Sequence, residues 1–220
     1  MDNQTEFKPS ASVEQHVRYW VTRAREQGRA GVRHKYHSEK AAAAESEQLK
    51  SLFITALQKL KDEGRLGESD RALDFGCGWG RWTYMLADFV GSAIGLDISP
   101  SYIDMAKSEK HVNFELIRDP TAPLVIPDKS IKLIFTCTVL QHLVRKELFN
   151  HIVSEFRRVL TADGVLFFFE CMASRIPNKP HIVFRSLDEY QGAFNWVKFE
   201  EQSTMMIRGE RHRLVVGCSR

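Results

Sequence analysis

The hydrophobic positions of this chain follow two different periods. In residues 12–30 and again in about 38–63, apolar side chains recur at about every third or fourth position, which is typical of amphipathic helices. From residue 70 onward, short apolar runs alternate with helical segments. The predicted strands are 70–75, 92–97, 112–117, 131–137 and 164–170. The predicted helices between and after them are 80–90, 100–109, about 145–160 and 186–194.

This alternation predicts an α/β fold, in which a doubly wound parallel sheet carries helices on both faces. Two helix starts have local signals. Ser99-Pro100 supplies a cap and a first helical residue, and residues 186–189 (SLDE) form a capping box. The end of the chain differs, because residues 203–208 and 211–218 flank a Gly-Glu pair. This pattern predicts an antiparallel C-terminal β-hairpin.

The composition of the 220-residue chain, 43% hydrophobic and 27% charged, is typical of a soluble globular protein with one large domain. No apolar stretch is long enough to cross a membrane, and the polar first residues do not resemble a secretory signal. The cysteines at 77, 137, 171 and 218 lack the C-x-x-C spacing of zinc or redox sites. We therefore expect reduced thiols, no metal and a cytoplasmic protein without a membrane partner.

The net charge is only +3, but positive charge is concentrated near the N-terminus. Residues 16–40 contain seven Lys or Arg against two Glu. A solvated helix face explains this segment best. The alternative is an anionic partner such as nucleic acid, which is not favoured because no nucleic-acid-binding motif accompanies the charges.

A glycine-rich turn, LDFGCGWGRW at residues 73–82, joins the first predicted strand to the helix that follows it. Such a strand–turn–helix unit is typical of cofactor sites, because the helix N-terminus offers free N–H groups. Arg81 occupies the third glycine position of the dinucleotide fingerprint, and the Gly-Lys-Ser/Thr of a phosphate-binding loop is missing. Asp74, just before the glycines, would repel a pyrophosphate but would suit a cationic ligand.

Two further acids follow at strand ends. Asp97 ends the second strand, about 20 residues after the first acid, where a carboxylate can grip the two hydroxyls of a ribose. Asp119 follows the third strand and can accept a hydrogen bond from an adenine amino group. The alternative for Asp97 is a helix cap, and for Asp119 a turn residue before Pro120. Together the three acids indicate a nucleoside with a positively charged, phosphate-free extension.

Residues 70–218 resemble a class I S-adenosylmethionine-dependent methyltransferase. The matching stretches are LDFGCGWGRW, GLDIS, IRDP, VIPDKSIKLIFTCTVLQHL and FRRVLTADGVLFFFE. The resemblance implies a seven-stranded, mostly parallel sheet with an antiparallel last strand, which agrees with the predicted hairpin. It implies S-adenosylmethionine as the cofactor of a domain over residues 38–220. Residues 1–37 are then an N-terminal helical extension.

The resemblance also implies roles for individual residues. The loop positions assigned to the methionine part of the cofactor are Asp74, Gly76, Cys77, Gly78 and Gly80. Cys77 is expected to be a small loop filler there. Asp97 is expected to hold the ribose, Ile98 to flank the adenine, and Asp119 to meet the adenine amino group. Thr136 and Cys137, at the end of the fourth strand, are expected to face the sulfonium.

The N-terminal extension folds over the cofactor as a lid in many proteins of this kind. Arg33 or Tyr36 is then expected to bond the methionine carboxylate, whereas Trp20 is expected only to pack against the core. Two features depart from the family pattern. Lys132 stands where an acid is usual before the fourth strand, and residues 162–164 (Ala-Asp-Gly) replace a Pro-Gly-Gly turn.

His142, just after the fourth strand, is the candidate catalytic residue. It lies where ligands bind in a doubly wound sheet, and it can serve as a general base or a substrate contact. The alternative is a histidine that only packs against the following helix. Tyr84 and Glu170 are weaker candidates of the same kind. Cys137 is not expected to be a nucleophile, because no positive group is visible beside it.

The sequence therefore predicts a methyltransferase acting on an O or N atom of a small-molecule acceptor. The aromatic side chains within residues 172–202 suit a planar or apolar acceptor, although such residues often belong to the core. Two alternatives stay open: methylation of RNA or a peptide, and a non-catalytic cofactor-binding partner subunit. The sequence does not determine the oligomeric state.

Overall fold

The computed structural model describes residues 12–32, 39–106, 111–173 and 180–219. The helices of this part of the chain are α1 (Val13–Gln27), α2 (Glu39–Asp62), α3 (Arg81–Leu86), α4 (Pro100–Met105), α5 (Lys146–Val159) and α6 (Leu187–Ala193). Short 3-10 turns cover Gly28–Val32 and Leu140–His142. The strands are β1 (Arg71–Phe75), β2 (Ser92–Asp97), β3 (Val112–Leu116), β4 (Ile131–Cys137), β5 (Leu160–Cys171), β6 (Val197–Ile207) and β7 (Glu210–Ser219).

The seven strands form one sheet in the order β3-β2-β1-β4-β5-β7-β6. Strands β1 to β5 pair in parallel, and β7 runs antiparallel to both β5 and β6. The predicted α/β fold and the C-terminal hairpin are confirmed. The order reverses between β1 and β4, so a crevice opens beyond the carboxyl ends of these two strands.

Two apolar layers cover the faces of the sheet, and β5 shows how the sequence divides them. Phe167 and Phe169 point to the layer that contains α2 and α3, whereas Phe168 points to the layer under α5 and α6. All three are fully buried. Successive side chains of a strand face opposite sides of the sheet. An unbroken aromatic run is therefore typical of a strand that is covered on both faces. Phe53 of α2 stacks edge-on against the first of these layers.

Local signals are mostly confirmed. The Ser186 capping box forms in both directions with Glu189. Ser99 and Pro100 occupy the predicted cap and first helical positions of α4, but the Ser99 hydroxyl makes no cap hydrogen bond. The Ser99 backbone N–H instead donates to Asp97 Oδ1 at 2.8 Å, because the chain turns sharply at the end of β2.

The two departures from the family pattern contact each other. Lys132 Nζ of β4 bonds the carboxylate of Asp163 and, at 3.0 Å, its carbonyl oxygen. The pairing of β4 with β5 shifts in register here, from Ile131 opposite Leu160 to Leu133 opposite Val165. The two departures are therefore coupled, because the lysine on the strand and the acid in the irregular turn bind each other. This contact lies away from the crevice.

In the described part of the chain, no helix has the length and apolar character needed to cross a membrane. Its His, Cys, Asp and Glu side chains likewise form no cluster suited to a metal ion.

Candidate active site

A cavity of about 560 Å³ lies beyond the carboxyl ends of β1, β2 and β4, where the strand order reverses. Its walls come from several regions of the chain. The residues at the strand ends are Phe75, Gly76, Asp97, Ile98 and Cys137. The residues from α1 and the segment after residue 180 are His16, Tyr19, Trp20, Arg23, His181 and Ile182. The loop after β4, the tip of the β6–β7 hairpin, α4, α5 and the segment after β3 also contribute.

The three glycines of the 73–82 turn all adopt left-handed backbone torsions, with φ of 76° at Gly76, 57° at Gly78 and 89° at Gly80. Residues with a Cβ are strained at such torsions. A Cβ on Gly76 would also lie 2.5 Å from Val139, and one on Gly80 would lie 2.5 Å from Phe114. The glycines therefore let the turn pack closely against neighbouring protein, and Gly76 additionally lines the cavity.

Asp97 lines the cavity at the end of β2, as its predicted role requires. Its Oδ2 accepts the Gly78 N–H at 2.9 Å, and its Oδ1 accepts the Ser99 N–H at 2.8 Å. Burial raises the pKa of Asp97 to about 6, against the lowering effect of these N–H groups. A carboxylate has about four acceptor sites, so both oxygens keep capacity for the hydroxyls of a diol.

Asp74 is placed differently. Its side chain is only 1% exposed, and its Oδ2 accepts the Thr83 hydroxyl of α3 at 2.6 Å. Burial raises its pKa to about 7, and Asp97 adds a repulsive contribution. Asp74 thus joins β1 to α3 behind the glycine turn, and its contact with the methionine part stays a prediction.

The remaining sites predicted around the cofactor divide into two groups. Ile98 and Cys137 line the cavity, and burial raises the pKa of Cys137 to about 12, so this thiol is protonated and unsuited to nucleophilic attack. Thr136 is fully buried and donates its hydroxyl to Glu170 at 3.2 Å. Cys77 is buried in the turn, where its Sγ donates to the Gly78 carbonyl at 3.4 Å.

Asp119 occupies an exposed turn. Its Oδ1 accepts both the N–H of Thr121, at 2.8 Å, and the hydroxyl of the same residue, at 2.6 Å. These bonds hold the pKa of Asp119 below its usual range. The geometry is that of the turn residue considered as the alternative, while the neighbouring Pro120 lines the cavity. An adenine contact of Asp119 stays a prediction.

Arg33 and Tyr36 lie outside the described residues. The helix before them, α1, nevertheless contributes to the cavity wall through four residues: His16, Tyr19, Trp20 and Arg23. Trp20 packs edge-on against the His142 ring, with centroids 4.4 Å apart, and Tyr19 stacks on the ring of His181 at 4.8 Å. Trp20 therefore packs, as expected, but it packs onto the candidate catalytic histidine.

His142 lines the cavity, and its chemical state follows from one contact. Its Nδ1 lies 3.0 Å from the carbonyl oxygen of His181. A carbonyl only accepts, so Nδ1 carries the proton and Nε2 keeps a free electron pair. Burial, with smaller contributions from His181, His16 and Arg23, lowers the pKa of His142 to about 3, against the raising effect of the hydrogen bond to the His181 carbonyl. The ring is therefore neutral at physiological pH and can accept a hydrogen bond.

The 138–143 loop that carries His142 is held from two sides by buried charged residues. Glu170 accepts the backbone N–H groups of Val139 and Leu140 at 3.0 Å and that of Gln141 at 3.2 Å. Burial raises the pKa of Glu170 to about 7, against the lowering effect of these donors.

Arg185 holds the other side of the same loop. Its guanidinium donates to the carbonyl oxygens of Leu140 at 2.8 Å and Leu143 at 2.6 Å, and it lies 3.8 Å from the centroid of the Phe149 ring. Sequence reasoning ranked Glu170 low and did not single out Arg185. The sequence did contain a signal for Glu170, which ends the otherwise apolar run VLFFFE. A charged residue at the end of a buried strand needs hydrogen-bond partners.

Comparison with known proteins agrees with this architecture. Residues 72–164 match the family model described as a methyltransferase domain. No match is found among the curated proteins. The chain therefore has the fold of class I, Rossmann-like methyltransferases, and several solved structures with this fold are described as SAM-dependent methyltransferases.

Solved structures share the fold at low sequence identity. The chain is similar to DhpI in a complex with SAH, at 18% identity and a TM-score of 0.63, over 93% of this chain and 95% of that one. It is similar to phosphoethanolamine N-methyltransferase 1 of Haemonchus contortus, at 15% identity and a TM-score of 0.67, over 96% of this chain and 50% of that one. A SAM-dependent methyltransferase from Aquifex aeolicus gives 18% identity and a TM-score of 0.54, over 74% and 89%.

Proposed function

We propose that the protein transfers a methyl group from S-adenosylmethionine to an O or N atom of a small-molecule acceptor bound in the cavity. The observation that carries the proposal is that Asp97 and His142 line the same cavity of about 560 Å³, under the cover of α1. Pockets for small molecules have volumes of this order and are mostly lined by apolar and aromatic groups.

The residues present fit the cofactor. Asp97 keeps two carboxylate oxygens with acceptor capacity toward the cavity, and Ile98 and Ile117 provide apolar walls for a base. When bound, the cofactor supplies a methyl group already activated by the positive sulfonium. The protein's task is to hold the acceptor atom in line with that group and to exclude water.

His142 is proposed to orient the acceptor. Its neutral ring keeps an electron pair on Nε2, so it can accept a hydrogen bond from the hydroxyl or amine of the acceptor. Trp20 and the carbonyl of His181 fix the plane of the ring. Glu170 and Arg185 act as positioning residues, because they touch the loop and not the cavity contents.

Calorimetry and a labelled-methyl assay test the proposal together. We expect Asp97→Ala to lose at least about 100-fold in affinity for S-adenosylhomocysteine, since two charge-assisted hydrogen bonds disappear. We expect His142→Ala to bind it normally while turnover falls about 100-fold. Glu200→Gln, at an exposed position of β6, is the matched control. Unchanged affinity in Asp97→Ala would refute the ribose assignment.

The same assays separate the alternatives. A non-catalytic partner subunit would bind cofactor without transferring label to any acceptor in a broad screen. An RNA methyltransferase would transfer label to RNA, with binding that weakens steeply as salt is raised.

A further inference from the structure

The charges that line the cavity are unbalanced. Among the lining residues that the structure describes, Arg23 of α1 and Arg208 at the tip of the β6–β7 hairpin are cationic, and Asp97 is the acid. We infer that the methyl acceptor carries an anionic oxygen group, a carboxylate or a phosphate, and that Arg208 binds this group. The inference rests on the proposed function, because it names the class of acceptor that the same cavity receives.

Arg208 occupies a position that its residue type disfavours. It forms the two-residue turn between β6 and β7 together with Gly209, with φ of 51° and 78°, and Ile207 pairs with Glu210 on either side. Two consecutive positive φ values define a type I′ turn, which favours Asn, Asp and Gly. An arginine there is strained, and strained residues persist where another role retains them. Arg208 also lines the cavity.

The fold explains why a hairpin tip reaches the active site. Cys171, the last residue of β5, pairs with His212 of β7. The turn at residues 208–209 therefore projects beyond the carboxyl end of β5, the edge where the cavity opens. Arg208 is exposed to solvent as well as lining the cavity, so this residue stands at the mouth.

The other charged groups of the cavity already have partners within the protein. Both oxygens of Asp97 already accept backbone N–H groups, and their remaining capacity is assigned to the ribose. Arg23 donates its Nε to the carbonyl of Gly31 at 2.8 Å and lies 5.8 Å from the Trp20 ring centroid. Within residues 12–32, 39–106, 111–173 and 180–219, Arg208 makes no ion pair.

A second donor stands on the same edge of the sheet. Gln141 lines the cavity, and its Oε1 accepts the N–H of Cys171 at 3.0 Å. This contact leaves the amide NH₂ as the group that can serve a ligand. The sulfonium adds a further positive charge when the cofactor is bound. The cavity therefore repels an ammonium acceptor and attracts an anion, and a guanidinium with an amide donor suits a carboxylate or phosphate.

The first test measures binding of inorganic phosphate to protein saturated with S-adenosylhomocysteine. We expect Arg208→Gln to weaken phosphate binding about tenfold, as loss of one charge-assisted contact implies. Arg211→Gln removes the same charge from an exposed position of the same hairpin and is expected to change nothing. Arg208→Gly is expected to weaken phosphate equally without lowering the melting temperature, because glycine tolerates the turn. Equal phosphate affinity in all four proteins would overturn the inference.

The second test uses matched acceptor pairs, each a hydroxyl- or amino-bearing acid and its neutral methyl ester. We expect the wild type to favour the acid at least tenfold in kcat/KM, Arg208→Gln to lose this preference, and Arg208→Glu to invert it. A preference for the neutral member in the wild type would overturn the anionic acceptor and leave the methyltransferase proposal intact. If the wild type does not bind the cofactor, the proposed function is overturned instead. If no acceptor is methylated, the phosphate titration alone decides whether Arg208 binds an anionic group.

Discussion

Replacing Glu170 with glutamine removes a fully buried charge while keeping one acceptor oxygen in place. Oε1 accepts from the Thr136 hydroxyl and from the N–H groups of Val139 and Leu140, so the amide oxygen can keep these three bonds. Only the bond from the Gln141 N–H to Oε2 is lost. The variant is therefore expected to fold and to keep the 138–143 loop close to its native position.

The size of the effect follows from the pKa of Glu170. Burial raises this pKa from its ordinary 4.5 to about 7. The folded state then binds more protons than the unfolded state between these pH values, and stability must fall as pH rises through that window. A rise of this size corresponds to about 3 kcal/mol by which folding disfavours the ionised form. The four hydrogen bonds to Glu170 therefore stabilise its ionised form by less than burial destabilises it.

Urea denaturation at pH 4.5 and pH 8 measures this difference. We expect the free energy of unfolding of the wild type, relative to Glu170→Gln, to drop by about 3 kcal/mol between the two pH values. Asp74 and Asp97 titrate in both proteins, so their contributions cancel. The exposed Glu200→Gln control is expected to differ from wild type by less than about 0.5 kcal/mol at both. A pH-independent difference between wild type and Glu170→Gln would refute the argument.

Two further predictions concern the cofactor crevice. Because the pKa of Asp97 is raised to about 6 and hydroxyl donors favour its ionised form, cofactor binding is expected to release protons near pH 6. The affinity for the cofactor is then expected to rise from pH 5 to pH 7.5. Calorimetry in buffers of different ionisation enthalpy measures the number of protons released. An affinity that does not depend on pH, or the same pH profile in Asp97→Asn, would contradict this prediction. Gly76→Ala places a Cβ at positive φ and 2.5 Å from Val139, so it is expected to cost about 2–4 kcal/mol of unfolding free energy. Adding Val139→Ala should restore part of this loss, and an equally unstable double variant would show that the contact is unimportant.

The sequence predicted the features that depend on local patterns. The order of strands and helices follows from hydrophobic periodicity, and the C-terminal hairpin follows from two strand patterns around a short turn. Asp97 was predictable because ligands of a doubly wound sheet bind beyond the carboxyl ends of the strands, and Asp97 is the last residue of the second strand. The same rule placed His142 at the cavity, since it follows the strand on the other side of the switch point.

The sequence was less informative where a side chain at a strand end could point either into the cavity or into the protein. Asp74 and Thr136 stand at strand ends like the lining residues, yet they point into the protein and bond Thr83 and Glu170. Residue spacing gives the position of the backbone. Which side of a strand end faces the cavity depends on how the flanking loops pack, and that packing is not a local property.

Contacts between distant segments were decided by the tertiary structure alone. Lys132 and Asp163 looked like two separate departures from a family pattern and are partners in space. Glu170 and Arg185 hold one loop between them, and Arg208 reaches the cavity from the far end of the chain. The sequence determines which residues prefer helix, strand or turn, because these preferences arise from near neighbours. The meeting of side chains far apart along the chain is fixed only when the sheet brings its strand ends to one edge.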